Sequence, residues 1–308
     1  MLVLLGFQTS SFGCIWVDGT TLDGLPNRYS PRWSSTGLQQ AMDETPKERL
    51  EALRKNYPYA GEKSSGEERA AVEAMLLGNP QAAVSLLLKI ERANPGQYST
   101  AVNLGTAYEL AGENDNALKW ISEGIVRNKD SHYGTEWLHQ RILETKIRLA
   151  ANPQYLASHR IIPFPNEFTA ETNVKVDGSE YTAAEIAMAI YYQMSERMIF
   201  VKPQDPIVAD LLFTLAQIEA HTTSVESAFQ TLEKSRSYGF ADPSLLQQTS
   251  TKYQSSISRG KLYKYTALIL LLAAVSSGIY FLFRKKRLFL TRAAYRKHLE
   301  AISERGRK

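Results

Sequence analysis

The pattern of apolar and polar positions repeats with a period of 34 residues between residues 64 and 131. The matching pairs are Gly78 and Gly112, Ala83 and Ala117, Leu87 and Ile121, and Asn94 and Asn128. A fixed period of this length is typical of a helix–turn–helix unit that stacks on a copy of itself. We predict helices over 67–77, 81–93, 100–111 and 115–127. The alanines would let paired helices approach closely, and the glycines would close the turn between them.

The second copy resembles the tetratricopeptide repeat (TPR) family. That family has Leu-Gly-x-x-Tyr on its first helix and a small residue followed by a bulky one on its second. The residues that match here are Leu104, Gly105, Tyr108, Ala117 and Ile121. The first copy has Ala71 and Ala74 in place of the Gly and Tyr but keeps the terminal proline, Pro95. The resemblance implies an all-α fold, a TPR-like α-solenoid of helix–turn–helix repeats, over residues 64–159.

Further helices follow this repeat region. The pattern predicts one over 132–150, and residues 182–259 carry more TPR-like helices and a polar closing helix. Their starts are indicated by a capping box at Thr182 and by an Asp before a Pro at Asp205 and Asp242. Residues 160–181 interrupt the period, so we predict a loop insertion there, within which 174–181 has the pattern of a small hairpin.

The chain before the repeats is less regular. Residues 14–63 form a lead-in, of which 15–45 is rich in Gly, Pro and Ser and is predicted to be mostly loop, whereas 46–55 fits a short charged helix. Residues 1–13 have the apolar run and small residues of a signal peptide. The alternatives are a buried N-terminal strand, or a true start upstream of residue 1. Cys14 also resembles a weak lipoprotein site.

Near the C-terminus, residues 265–283 contain no charged side chain. Nineteen helical residues cover about 28 Å, close to the hydrocarbon thickness of a bilayer. We therefore predict one C-terminal transmembrane helix. Residues 284–308 carry a net charge of +8, so the positive-inside rule places this tail in the cytoplasm and the repeats outside, in the periplasm. A tail-anchored protein with cytosolic repeats is the competing topology.

Charge and motifs limit the function classes. The whole chain has a net charge of +4, so the part before residue 284 sums to −4 and offers no basic surplus for nucleic acid. One cysteine excludes an intrachain disulfide and a zinc site built on paired cysteines. Phosphate-loop, nucleophile-elbow and His-Glu-x-x-His motifs are absent from the sequence. We predict no enzyme activity and no cofactor, and we interpret His132 and His139 as surface or core-capping residues rather than metal ligands.

Stacked repeats expose a concave surface that commonly holds an extended peptide or a partner helix. The family resemblance places six candidate partner-binding residues on or beside it: Arg69, Asn103, Thr106, Tyr133, Glu136 and Gln140. The sequence therefore predicts a membrane-anchored scaffold that binds a protein or peptide at the cell envelope. The alternative classes are an envelope enzyme or regulatory subunit whose site includes 160–181, and a tail-anchored cytosolic receptor.

Overall fold

A computed structural model of the chain describes residues 17–29, 35–56, 66–165, 168–169 and 172–305. The predicted signal peptide, Cys14 and the last three residues lie outside this part. The fold is predominantly helical. Its helices are α1 (Ser35–Asp43), α2 (Pro46–Asn56), α3 (Gly66–Leu76), α4 (Pro80–Ala93), α5 (Tyr98–Leu110), α6 (Asn114–Arg127), α7 (Glu136–Ala151), α8 (Tyr155–Ser158), α9 (Ala183–Arg197), α10 (Pro206–Thr222), α11 (Val225–Tyr238) and α12 (Pro243–Arg305).

The four helices predicted from the 34-residue period are present as α3 to α6, with ends that differ by at most two residues from the predicted ones. Gly78 and Gly112 follow α3 and α5 with φ of +76° and +82°, the left-handed conformation expected of a helix-ending glycine. Ala83 and Ala117 are completely buried. Ala83 and Ala117 therefore lie inside the packed helices, and Gly78 and Gly112 lie in the turns between them.

Each helix from α3 to α7 packs against the next one along the chain, and the series continues from α7 to α9, α10, α11 and α12. Side chains of α7 and of α9 to α12 share the largest apolar core, while α3 to α5 and α5 to α7 enclose two smaller ones. The predicted N-caps at Thr182 and Asp205 are confirmed, the first as a complete capping box. Asp242 likewise accepts a hydrogen bond from the backbone N–H of Leu245.

The lead-in is more ordered than its composition predicts. Within 15–45, which we expected to be mostly loop, the chain forms an antiparallel hairpin of β1 (Val17–Thr20) and β2 (Pro26–Tyr29), followed by α1. Helix α1 packs on α9 and α11 and buries Leu38 and Ala41. The turn-forming residues indicated breaks correctly, but the partners that stabilise the segments between the breaks come from distant parts of the chain.

The described part of the 160–181 insertion also buries apolar side chains against the fold. It ends in the hairpin β3 (Asn173–Val176) and β4 (Ser179–Thr182), as the pattern of 174–181 predicted. At its start, Ile161 and Ile162 are buried in the largest core, and Arg160 pairs with the buried Asp210 at 2.5 Å. A segment without helical periodicity is fixed here by long-range contacts.

The helix predicted from residue 132 begins later, at Glu136. His132, Tyr133 and Gly134 all have positive φ, within a short 3-10 turn over Ser131–Gly134. Consecutive left-handed residues cannot continue a right-handed α-helix. This turn redirects His132 relative to α7, which matters for the site described below.

The predicted closing helix and the predicted span form one continuous helix, α12, about 95 Å long at 1.5 Å per residue. A stretch of it within Pro243–Lys285 is long and apolar enough to cross a membrane and is not buried by the rest of the protein. Just before the span, the β1–β2 hairpin packs tightly on α12. A Cβ on Gly260 would lie 2.5 Å from the Thr20 side chain, and Ser256 donates a hydrogen bond of 2.6 Å to the carbonyl of Leu22.

A substitution at Gly105 tests the close approach of α5 and α6. A Cβ at this position would lie 2.5 Å from the Ile121 side chain and 3.2 Å from its backbone nitrogen. We expect Gly105→Ala to lower the free energy of unfolding by about 1–3 kcal/mol, because the helices must move apart. Denaturant unfolding of the full chain in detergent, followed by circular dichroism, measures the change.

Gly37 provides the matched control, because it is also helical and a Cβ there would meet no atom within 4 Å. Gly37→Ala should leave stability unchanged or raise it by up to about 1 kcal/mol through helix propensity. Equal destabilisation by both substitutions would contradict the proposed helix contact.

Candidate binding cavity

A cavity of about 470 Å³ lies among α2, α3, α5, α7 and α9 and the short stretch that follows α9. Its lining combines polar and charged side chains with apolar ones, the latter including Leu53, Val72, Met75, Leu76, Leu110 and Phe200. The polar residues come mainly from α5, α7 and α9. Apolar side chains next to convergent polar groups are a common composition of a binding site.

The buried carboxylate of Glu109 on α5 joins three helices at this cavity. Arg197 of α9 donates to both of its oxygens, at 2.5 and 3.1 Å, and Lys146 of α7 donates at 2.7 Å. The Nε2 atom of His139, also on α7, lies 2.8 Å from the same carboxylate. Burial alone would raise the pKa of Glu109, but Arg197, His139 and Lys146 together hold it well below its usual value.

Glu136 forms a second buried carboxylate beside the first. Its Oε1 atom contacts the Nδ1 atom of His132 and accepts a hydrogen bond of 3.3 Å from the Tyr98 hydroxyl. The Nδ1 atom of His139 lies 3.5 Å from Oε2. Burial opposes ionisation of Glu136, yet the two histidines lower its pKa to about 2. His139 therefore lies between two ionised carboxylates.

The position of His139 between the two carboxylates changes its pKa. Burial lowers the pKa of an imidazole, but the carboxylates of Glu109 and Glu136 raise the pKa of His139 above its ordinary value. An imidazole with an oxygen acceptor facing each ring nitrogen donates to both only when it is protonated. With His139 charged, Arg197, Lys146 and His139 exceed Glu109 and Glu136 by one positive charge.

Two buried polar atoms of residues that line the cavity have no hydrogen-bond partner within the described part of the chain. They are Oε2 of Glu136, an acceptor, and Nε of Arg197, a donor. Oε2 of Glu136 still faces the Nδ1 atom of His139 at 3.5 Å, and the guanidinium of Arg197 binds Glu109 through both of its other nitrogens. The charge on each side chain is therefore compensated within the ionic group.

The structure brings together three of the six predicted binding residues. Asn103, Thr106 and Glu136 line the cavity, and the Asn103 amide forms no hydrogen bond to any described residue. Thr106 donates to the carbonyl of Val102 at 3.1 Å. Glu136 is only 3% exposed, so it belongs to the buried ionic group and not to an open surface.

The other three predicted residues do not line the cavity. Arg69 pairs with Glu73 one turn along α3, at 3.2 Å, and Gln140 donates to Glu144 along α7 at 3.3 Å. Tyr133 lies in the left-handed turn, is 69% exposed and contacts the ring of Tyr192 edge-on. The prediction assumed a helix that begins at residue 132, and the turn moves Tyr133 off that helix.

Sequence reasoning missed Glu109, His139, Lys146 and Arg197 as parts of a site. The repeat itself contained a signal for the first of these. Met75 precedes Glu109 by 34 residues and Leu143 follows it by 34, and both are buried and apolar. A carboxylate at a repeat position that is otherwise apolar indicates a buried charge with a partner. No pattern in α9 identified Arg197 as that partner.

His132 and His139 do approach the same carboxylate, although His132 reaches it from the turn and not from α7. Within the described ranges, no group of three or more His, Cys, Asp or Glu side chains is arranged to hold a metal ion. No protein-family model matches the chain, and a search of the curated proteins finds no match either.

The ionic group makes stability depend on pH. Since the pKa of His139 is raised on folding, its contribution is fully present below about pH 6.5, the ordinary value, and is lost as pH rises through the folded value. We expect His139→Gln to lower the free energy of unfolding by about 1–3 kcal/mol at pH 6, with a smaller loss at pH 9. Denaturant unfolding at a series of pH values measures this difference.

Gln140→Ala on the same helix is the control, because the Gln140 amide does not titrate and contacts only the neighbouring Glu144 among the described residues. Its effect should be constant across the series. A loss for His139→Gln that grows as pH rises would show that His139 is neutral in the folded protein.

Proposed function

We propose that this chain is a membrane-anchored scaffold of TPR-like repeats, stacked as an α-solenoid, and that its cavity binds a segment of a protein partner. The observation that carries the proposal is the cavity itself, in which apolar side chains lie beside the Asn103 amide, which has no hydrogen-bond partner among the described residues. A peptide segment supplies apolar side chains together with amide donors and acceptors, which is the combination that this lining requires.

The helix order supports the same proposal. Helices α3, α5, α7 and α9 all contribute to the cavity, while α4 and α6 lie between them in the chain and contribute no lining residue. In a stack of helix pairs, the first helix of each pair lines the concave face. The described residues of the 160–181 segment add nothing to the lining, and Ile161 and Ile162 are packed into the core, so we assign binding to the cavity rather than to that segment.

Site-specific photo-cross-linking in native membranes tests partner binding. A photoreactive residue at Asn103 should give one discrete adduct with another protein, because the side chain faces the cavity. The same residue at Lys119, which is exposed on α6 away from the cavity, is the control and should not give that adduct. Asn103→Arg should abolish co-purification of the cross-linked protein, since it places a bulky charge in the cavity.

Adducts of the same protein from both positions, or no adduct at Asn103, would contradict partner binding in the cavity. Metal binding or substrate turnover by the purified chain alone would instead favour the enzyme class.

We further propose that the tail after the span is cytoplasmic and the helical domain periplasmic, because Arg284 to Arg287 directly follow the apolar stretch. A fluorescent protein fused to the C-terminus should then fluoresce, and alkaline phosphatase inserted at the Asp177–Gly178 turn of the exposed hairpin should be active. The opposite result at both positions would favour the tail-anchored cytosolic receptor.

A further inference from the structure

Helix α2 forms one side of the cavity, although it belongs to the lead-in and not to the repeats. Arg49 and Leu53 line the cavity together with residues of α3, α5, α7 and α9. We call the cavity-lining surface of these four helices the docking surface. Leu50, on the same helix, is only 2% exposed. A short helix of this chain therefore covers one side of the cavity in which the proposed partner segment would bind.

The charges of α2 match the two ends of the docking surface. Arg54 Nη2 pairs with Glu73 Oε2 of α3 at 2.5 Å, and Arg49 Nη1 lies 3.6 Å from Glu196 Oε1 of α9. Helix α2 thus bridges the first and the last helix of the docking surface. Glu196 lines the cavity, and Glu73 lies on α3 next to the lining residue Val72, so carboxylates flank the docking surface at its first and last helix.

These contacts hold α2 weakly. The Arg54 side chain is 53% exposed and the Glu196 side chain 58%, and exposed ion pairs contribute little to stability. Apart from Leu50, the residues of α2 are exposed or half-buried. Segments with few buried apolar contacts open at a low free energy.

Helix α1, by contrast, is fixed to the fold. It buries Leu38 and Ala41, and Lys202 donates to the carbonyls of Met42 and Glu44 at 2.7 and 2.6 Å. Only Glu44 and Thr45 separate α1 from α2. A change of backbone angle at these two residues would move α2 away from the docking surface while α1 stays in place.

We propose that α2 is an intramolecular occupant of the docking surface, and that the partner is a basic amphipathic helix which displaces it. The partner would present leucine-like residues three or four positions apart to Val72, Met75 and Leu110, and a basic residue near each end to Glu73 and Glu196. This proposal rests on partner binding in the cavity. Its first part, the opening of α2, is independent of any partner.

Thiol labelling of the full-length protein in detergent tests the opening. With Cys14 replaced by Ser, a cysteine at Asn103 reports access to the cavity. Arg49→Glu combined with Arg54→Glu replaces three attractions, to Glu44, Glu196 and Glu73, by repulsions and should speed labelling about 5- to 30-fold. Adding Glu44→Arg, Glu73→Arg and Glu196→Arg should restore slow labelling. A cysteine at Lys119 is the control and should react at the same rate in all three backgrounds.

An unchanged labelling rate at position 103 would overturn the proposed opening, and so would acceleration that the charge-restoring substitutions fail to reverse. Hydrogen exchange of the unsubstituted protein provides a test that needs no variant. Amides of α2 should exchange faster than those of α1 and α5, and equally slow exchange in all three helices would also overturn it.

A peptide with the sequence of residues 44–58 tests the partner class. It should bind the Arg49→Glu, Arg54→Glu protein, in which Glu73 and Glu196 are intact, and lose at least about tenfold in affinity when both glutamates are replaced by Arg. Tighter binding of a peptide with both arginines replaced by Glu would overturn the basic class. Fast labelling of position 103 without any peptide binding would likewise overturn the basic partner class. The cross-link at Asn103 tests separately whether a partner binds in the cavity at all.

Discussion

The close approach of paired helices at small residues is the constraint on which the other features depend. At Gly105 the side chain of Ile121 lies directly against the backbone of α5, and at Gly124 the side chain of Val102 lies against α6. Ala83 and Ala117 are completely buried at the corresponding contacts. Because the glycines have no side chain, the side chain of the facing helix packs directly against the helix backbone, and the paired helices come close together.

The buried charges then join helices that are distant in sequence. Glu109 of α5 is paired with Lys146 of α7 and with Arg197 of α9, which lies 88 residues away along the chain. Removing one partner of such a group leaves a buried charge without compensation, so each residue depends on the others. The group also fixes the polar part of the cavity, which lies beside apolar side chains of α3 and α5.

The N-terminal segment connects these features to the long apolar helix α12. Its hairpin packs on α12 at Gly260, shortly before the apolar stretch, its first helix packs on α9 and α11, and its second helix lies at the cavity. One segment of the chain therefore contacts both α12, just before its apolar stretch, and the proposed docking surface. The proposed opening of α2 would leave the tight contact between the hairpin and α12 in place.

The sequence by itself determined the helices of the repeats, their glycine-ended turns and the apolar stretch of α12, because periodicity, capping residues and length are local properties that each segment carries alone. It also placed Asn103 and Thr106 on the cavity-lining side of α5. Only the tertiary structure decided that the turn at His132 delays α7, that the lead-in packs across the repeats, and that Arg197 meets Glu109. Pairing between buried charges depends on which distant helices become neighbours, and no period in the sequence encodes that distance.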